Sequence, residues 1–495
     1  MKRLLPLAVL LALIPAASVP GGQNPRYFFG DWVAYTSVRY VHAAIVTQDF
    51  MYFGTRGGVA RYDRHRDQWL PALTTAEGLR ANNVHRLAYD GQTDELWAET
   101  PSGVSVYRPG FREWEDADQF PDTLEQPWLR FELRGLSFPF GYDGLTAGYI
   151  TDPQMRSYEI RGYLDDSWGT RWIGTWGQFV LTIPPGTFQI TPQRWGLFQN
   201  DVQAIYMDSS GMVFGGPNFY DGANALTIWD TVSGDWRYIE ARFTEGFASD
   251  NVERIAGDPG GRYLWLATDR GLVRMDRKTD GFLTYGQREG LVDERVHALT
   301  LDGDILWIGT ELGINGLYLP RDSIFHANTE AVRNARVYDI EVTGDVVWLA
   351  TDRGLMRLAK PTPDWRRFAT GEGPLAGRVR ALAATRHKLY VGSDHGIAII
   401  DLTGREPVEA LESPSILPDD NIYEIAVTAD SIVWAATPSG LLRVVPATHE
   451  RRMFTVADGL LDGFVQRIVV EGDYLWLGTV KGANRFRWKN PLRID

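Results

Sequence analysis

The chain has 495 residues, a formal net charge of −13 and no cysteine. The charge argues against nucleic acid and anionic membrane surfaces as partners, and the missing thiols exclude disulfides, thiolate metal sites and a lipid-attachment cysteine. Gly 51, Trp 18, Tyr 21 and Phe 22 suit many short aromatic strands joined by tight turns.

At the N-terminus Lys2 and Arg3 precede an apolar stretch from Leu4 to Ile14, and the small residues Ala16, Ala17 and Ser18 follow. This is the layout of a secretory signal peptide, expected over residues 1–22, and the run is too short to span a bilayer. No later segment has the ~18 continuous apolar residues of a membrane helix. The remainder, 23–495, is expected to be exported, periplasmic or extracellular, without membrane insertion.

From Tyr52 onward one phrase recurs. Leu264-Trp-Leu-Ala-Thr-Asp-Arg-Gly-Leu and Val347-Trp-Leu-Ala-Thr-Asp-Arg-Gly-Leu are near copies, and Leu306-Trp-Ile-Gly-Thr and Leu475-Trp-Leu-Gly-Thr repeat its core. The aromatic anchors are Phe53, Trp97, Trp172, Phe214, Trp265, Trp307, Trp348, Tyr390, Trp434 and Trp476. They are spaced by 41 to 44 residues, apart from one step of 75 and one of 51.

Each copy reads as four strands. The first is Val-x-x-Ile/Leu, as in Val296-His-Ala-Leu, and the second is the Leu-Trp-Ile-Gly-Thr phrase. A Thr-x-x-Gly turn leads into a Gly-Leu-x-Arg strand, because glycine tolerates the positive φ of a tight hairpin. A fourth strand carries a bulky residue such as Phe282, Trp365 or Phe454. Four antiparallel strands at this period predict an all-β fold, a β-propeller of about ten four-stranded blades. The last copy supplies three strands, and the segment Gly30 to Tyr35 reads as an orphan fourth strand. Pairing the two would remove both open sheet edges. One ring of ten blades is favoured on this ground, with two smaller propellers as the alternative.

These motifs resemble the two-component-regulator propeller repeats, whose core reads Leu-Trp-Ile-Gly-Thr, then Gly-Leu, Arg-Tyr-Asp, Phe, Gly-Leu and Val-x-x-Ile. The likeness runs from about Gly30 to Trp488. It implies the propeller fold, and it implies a role like the extracytoplasmic sensor propellers of hybrid histidine kinases that detect glycans, or like an accessory propeller of type IX secretion. The chain departs from the kinase pattern in lacking a membrane helix, an immunoglobulin-like stalk and a kinase segment. The motifs are structural and carry over no catalytic residue.

Candidate sites gather on the face where fourth strands lead into the next first strands. The residue after each leading Val or Ile is polar or aromatic: His42, His85, Arg161, Gln203, Glu253, His297, Tyr338, Arg380, Tyr423 and Gln466. Such a ring at a channel mouth suits a sugar or a peptide, or else serves only to satisfy backbone groups and channel water. The 75-residue step places an inserted loop at about 119–151, rich in aromatics and including Tyr142, on the same face. The 51-residue step lengthens a turn that carries Phe219 and Tyr220.

No histidine spacing supports a metal site, no cofactor motif is present, and the recurring Asp90, Asp166, Asp208, Asp258 and Asp302 read as turn formers. The expected function is a non-catalytic exported module that binds a glycan, peptide or envelope protein. The alternative is a polysaccharide lyase or hydrolase using Asp143, Glu253 and Glu311 across the channel mouth.

Overall fold

The computed structural model describes residues 27–491 except 29, 127, 130–135, 140, 146–147, 218–222, 328–329, 361, 369–374, 376, 404–407, 413–420 and 430. The signal-peptide segment and the candidates Phe219 and Tyr220 therefore lie outside the described residues.

Ten antiparallel sheets are formed among the described residues, nine of four strands and one of six. We number them blades 1 to 10 by the anchors they carry, in the order Phe53, Trp97, Trp172, Phe214, Trp265, Trp307, Trp348, Tyr390, Trp434 and Trp476. Second strands such as Tyr263–Thr268 are buried almost end to end, as expected of strands covered on both faces. The Thr-x-x-Gly turn has a direct cause. The Thr310 hydroxyl donates to the Gly313 carbonyl at 2.9 Å, and Gly313 sits at φ 135°, a conformation that disfavours any residue with a Cβ.

The predicted closure is present. The N-terminal strand Trp32–Tyr35 pairs antiparallel with Gly482–Arg487 and becomes the outer strand of blade 10. Trp32 stacks on Phe486 at 4.0 Å between centroids, against Phe454 of blade 9.

The closed ring, however, has seven blades rather than ten. The first strand of blade 10 (Val465–Glu471) packs against the first strand of blade 4 (Ala204–Asp208), and blades 4 to 10 follow one another in order. At the junction the Val202 amide donates to the Thr479 carbonyl at 2.9 Å. Trp476 lies 6.2 Å from Phe214 and 6.3 Å from Trp229 in a shared core.

Blades 1, 2 and 3 form a separate arc in the spatial order 3–1–2. The long insertion makes this order possible. After blade 2 the chain runs back across the inner strands: Glu125 bridges Ala88, the Trp128 indole donates to the His42 carbonyl at 3.0 Å, and Leu129 bridges Tyr163 of blade 3. The inserted stretch then adds two short strands, Asp143–Leu145 and Tyr149–Thr151, to the inner edge of blade 3. Part of the predicted loop at 119–151 is thus sheet and crossing chain.

Arc and ring meet at a neck of two antiparallel segments, bridged between Ser37 and Gly196. There the Arg39 guanidinium lies 3.6 Å above the Phe198 ring and donates to the Gly177 carbonyl.

Each blade accepts the next only where its second strand lacks a bulky side chain. A Cβ at Gly309 would lie 2.6 Å from Val337 Cγ1. Gly309→Glu should destabilise the ring by about 3 kcal/mol or more in chemical denaturation. Glu99 holds the equivalent position on blade 2, where it pairs with Arg86 at the arc's outer end. Glu99→Ala should change stability by less than about 1 kcal/mol.

Candidate functional site

The first strands carry their polar residues to the channel mouth by a defect in pairing. In blades 5, 6, 7, 8 and 10 the register shifts across the residue after the leading valine, so Glu253, His297, Tyr338, Arg380 and Gln466 are each the extra residue of a bulge. Bulges re-aim side chains away from the simple in-out alternation. His42 and Arg161 occupy the same irregularity in the arc.

In the ring these residues join neighbouring blades. His297 Nδ1 lies 2.6 Å from Glu253 of blade 5, and its Nε2 lies 3.0 Å from Glu311 in the hairpin of its own blade. The Arg380 guanidinium lies 5.2 Å from the Tyr338 ring and 5.4 Å from the Tyr423 ring, so it links blades 7, 8 and 9. Tyr423 meets Phe464 at 4.8 Å. Gln466 Nε2 donates to Asp201 at 2.8 Å, across the junction that closes the ring. Burial pushes the Asp201 carboxyl up to about 6 while the Gln466 hydrogen bond opposes it. Gln203 lies in the same row, its amide donating to the Gly215 carbonyl at 3.0 Å.

One residue further along the strands is a second layer that the sequence reading missed. Blades 1, 4, 6 and 8 carry alanine there and blade 3 glycine, but within the ring blades 5, 7, 9 and 10 carry Arg254, Asp339, Glu424 and Arg467. Arg467 Nη1 donates to both Glu424 carboxylate oxygens at 2.7 and 2.8 Å. Arg254 Nη2 reaches Glu424 Oε2 at 3.3 Å. Blades 9 and 10 are neighbours, so the Arg467–Glu424 pair joins adjacent blades, whereas blades 5 and 9 are not, so the Arg254–Glu424 pair crosses the channel. Asp339 sits beside them and accepts from the Leu382 amide at 2.8 Å. Burial holds its carboxyl up, at about 6, against the pull of Arg254, and burial lowers the Arg467 guanidinium. Deeper still, burial and then the neighbouring Asp339 push Glu341 up to about 8. The signal was available in the repeat alignment: five charges, Arg86 of the arc among them, in a column otherwise filled by alanine and glycine.

The ten predicted mouth residues do not form one ring. His42, His85 and Arg161 belong to the arc, where the His42 and His85 rings lie 5.0 Å apart, Trp176 lies 4.9 Å from His42, and Arg161 lies 5.5 Å from Trp176. The chain crossing from blade 2 to blade 3 covers their strands. Burial, and then His85, push His42 down to about 4. Tyr142 is half-buried on blade 3, its hydroxyl accepting from Gln178 at 2.8 Å, and is not part of the ring mouth. Asp143 is exposed on the added hairpin of blade 3. It does not meet Glu253 and Glu311, which converge on His297. Of the recurring aspartates, Asp90, Asp166, Asp208 and Asp258 accept from turn amides as expected. Asp302 instead accepts from the Trp307 indole and Lys360.

Two solved structures share this fold over 91% of the chain. One is the extracellular domain of a hybrid two-component system of B. thetaiotaomicron, at 16% identity and a TM-score of 0.51. The other is PorZ, a surface component of the type-IX secretion system of Porphyromonas gingivalis, at 14% identity and a TM-score of 0.52. The shared fold is a β-propeller. The chain spans 62% of the first of these proteins and 69% of the second. No family model and no curated protein matches the sequence. Among the described residues no helix is long and apolar enough to cross a membrane.

The charged layer sets two expectations. Glu424→Gln leaves Arg254 and Arg467 facing each other without their anion, and should cost about 3–5 kcal/mol in denaturant melts. Glu341 titrates at about 8 in the folded chain, above its ordinary 4.5. Between those values the native state holds a proton that the unfolded chain has lost, so stability falls as pH rises through this window. Melts of Glu341→Gln should match the native protein at pH 4.5 and exceed it in stability at pH 8.

Proposed function

We propose that the chain is a non-catalytic exported propeller that binds a glycan, peptide or envelope protein partner at the mouth of its seven-bladed ring, as a recognition or scaffold module. The observation that carries this reading is the linked band of polar and aromatic side chains at the mouth, above a channel crossed by the Arg254–Glu424 ion pair. Such a band offers convergent hydrogen-bonding groups beside aromatic surface, carried on the strands of a packed ring. Export is supported by the arrangement from Lys2 to Ser18 and by the extracellular setting of the B. thetaiotaomicron domain.

A second reading has one observation in its favour. His297 is held between Glu253 and Glu311, a cluster of one imidazole and two carboxylates of the kind that supplies the acid–base groups of a polysaccharide lyase. The two readings separate in one experiment. The full chain is screened on immobilised glycans and purified envelope proteins, with product release followed on the same polysaccharides. Binding that weakens at least tenfold in His297→Ala and Tyr423→Ala, with no product at any time, is the expected outcome. Product release that disappears in His297→Ala would replace the binding module with the enzyme.

A further inference from the structure

The mouth is electrically divided, and its basic side is unusual. Over blades 7 and 8 three arginines gather with two carboxylates. Arg336 approaches Glu311 at 3.4 Å, Arg378 approaches Asp394 at 3.6 Å, and Arg380 approaches Asp394 at 3.4 Å. All three contacts are made through Nε. Among the described residues, the terminal Nη1 and Nη2 groups of these arginines have no hydrogen-bond acceptor. The channel arginines below them contrast with this, since Arg254 and Arg467 direct their terminal nitrogens onto Glu424.

Arg380 is the best placed of the three. Its side chain is only 20% exposed, and it lies between Tyr338 and Tyr423. Ring contacts on a guanidinium restrain its position while leaving its in-plane N–H groups available. A restrained fork with two parallel donors matches a carboxylate, and does so with little further loss of side-chain freedom. With its Nε on Asp394 at 3.4 Å, Arg380 keeps its two terminal nitrogens as the donors of that fork.

We propose that Arg380, held by Tyr338 and Tyr423, is an anion subsite that takes a carboxylate of the bound ligand. The assignment rests on the mouth being a binding site and adds the chemistry of one contact. A carboxylate can come from a uronic-acid residue or from a peptide C-terminus, and the test separates these sources.

The full chain is titrated calorimetrically with trigalacturonate and its methyl ester, and with trialanine carrying a free or an amidated C-terminus. At least one free acid should bind at least tenfold more tightly than its masked form, and the preferred acid names the source. Arg380→Gln should abolish that preference. Arg380→Lys, which keeps the charge and loses the fork, should retain only part of it. Unchanged melting of both variants shows that the loss is local. Equal binding of free and masked forms, a preference that survives in Arg380→Gln, or no binding of either acid at 10 mM would each overturn the subsite. If the glycan and envelope-protein screen still yields a ligand sensitive to Tyr423→Ala, the mouth remains a binding site and only the carboxylate contact fails.

Discussion

Each blade is joined to the next by a valine or isoleucine that occupies the place of an absent side chain. An added Cβ would lie 2.6 Å from Val337 at Gly309, 2.7 Å from Val252 at Gly215 and 2.6 Å from Ile422 at Gly392. Where glycine is replaced, alanine stands instead, at Ala267, Ala350 and Ala436, all fully buried. The close approach brings two buried sheets together without a void, and dense packing of this kind is what dispersion and burial both favour. The same contact identifies each blade's neighbour. A Cβ at Gly478 would meet the Val202 carbonyl at 2.3 Å, so blade 4 follows blade 10 and the ring closes at seven. One at Gly174 would meet Val41 at 2.9 Å, so blade 1 follows blade 3 and the arc acquires its order.

The mouth is a by-product of this joint. The leading valine must point into the neighbouring blade, and the bulge immediately after it turns the next residue out of the sheet's alternation. That residue has no packing duty, so it is open to any polar or aromatic type, and a ring of such positions is produced wherever blades succeed one another. Glu253 and His297, or Tyr338 and Arg380, meet because adjacent blades present the same bulge at the same height, and Tyr423 of blade 9 meets Arg380 from the equivalent position without a bulge.

The blade count, the strand order within a blade and the closing strand at Trp32 were legible because each is written in a repeated local pattern. The polar column was legible for the same reason. Ring size was not, because it depends on which blade touches which, and sequence order is a poor guide where an insertion lets the chain double back. One residue did encode it. Glu99 stands in the column of glycines and alanines, and a bulky charge there forbids a following blade. The ion pair of Arg254 with Glu424 was hidden differently: its partners lie on blades that are not neighbours, a pairing the repeat does not suggest.

The arc ends as deliberately as the ring closes. On blade 2 the position that would receive a neighbour is Glu99, joined to Arg86, which also binds Glu125 at 2.6 Å. On blade 3 the opposite end is covered by the inserted segment, whose Leu136, Phe138 and Tyr142 pack on Ile150, Ile160 and Ile173. Repeat arrays need terminal units with a polar or covered outer face, since an uncovered blade would expose both apolar surface and a template for further pairing. Three blades capped in this way need no more blades to be complete. Their placement between the closing strand and blade 4 is possible because the chain leaves and re-enters the ring at adjacent points, Ser37 and Gly196.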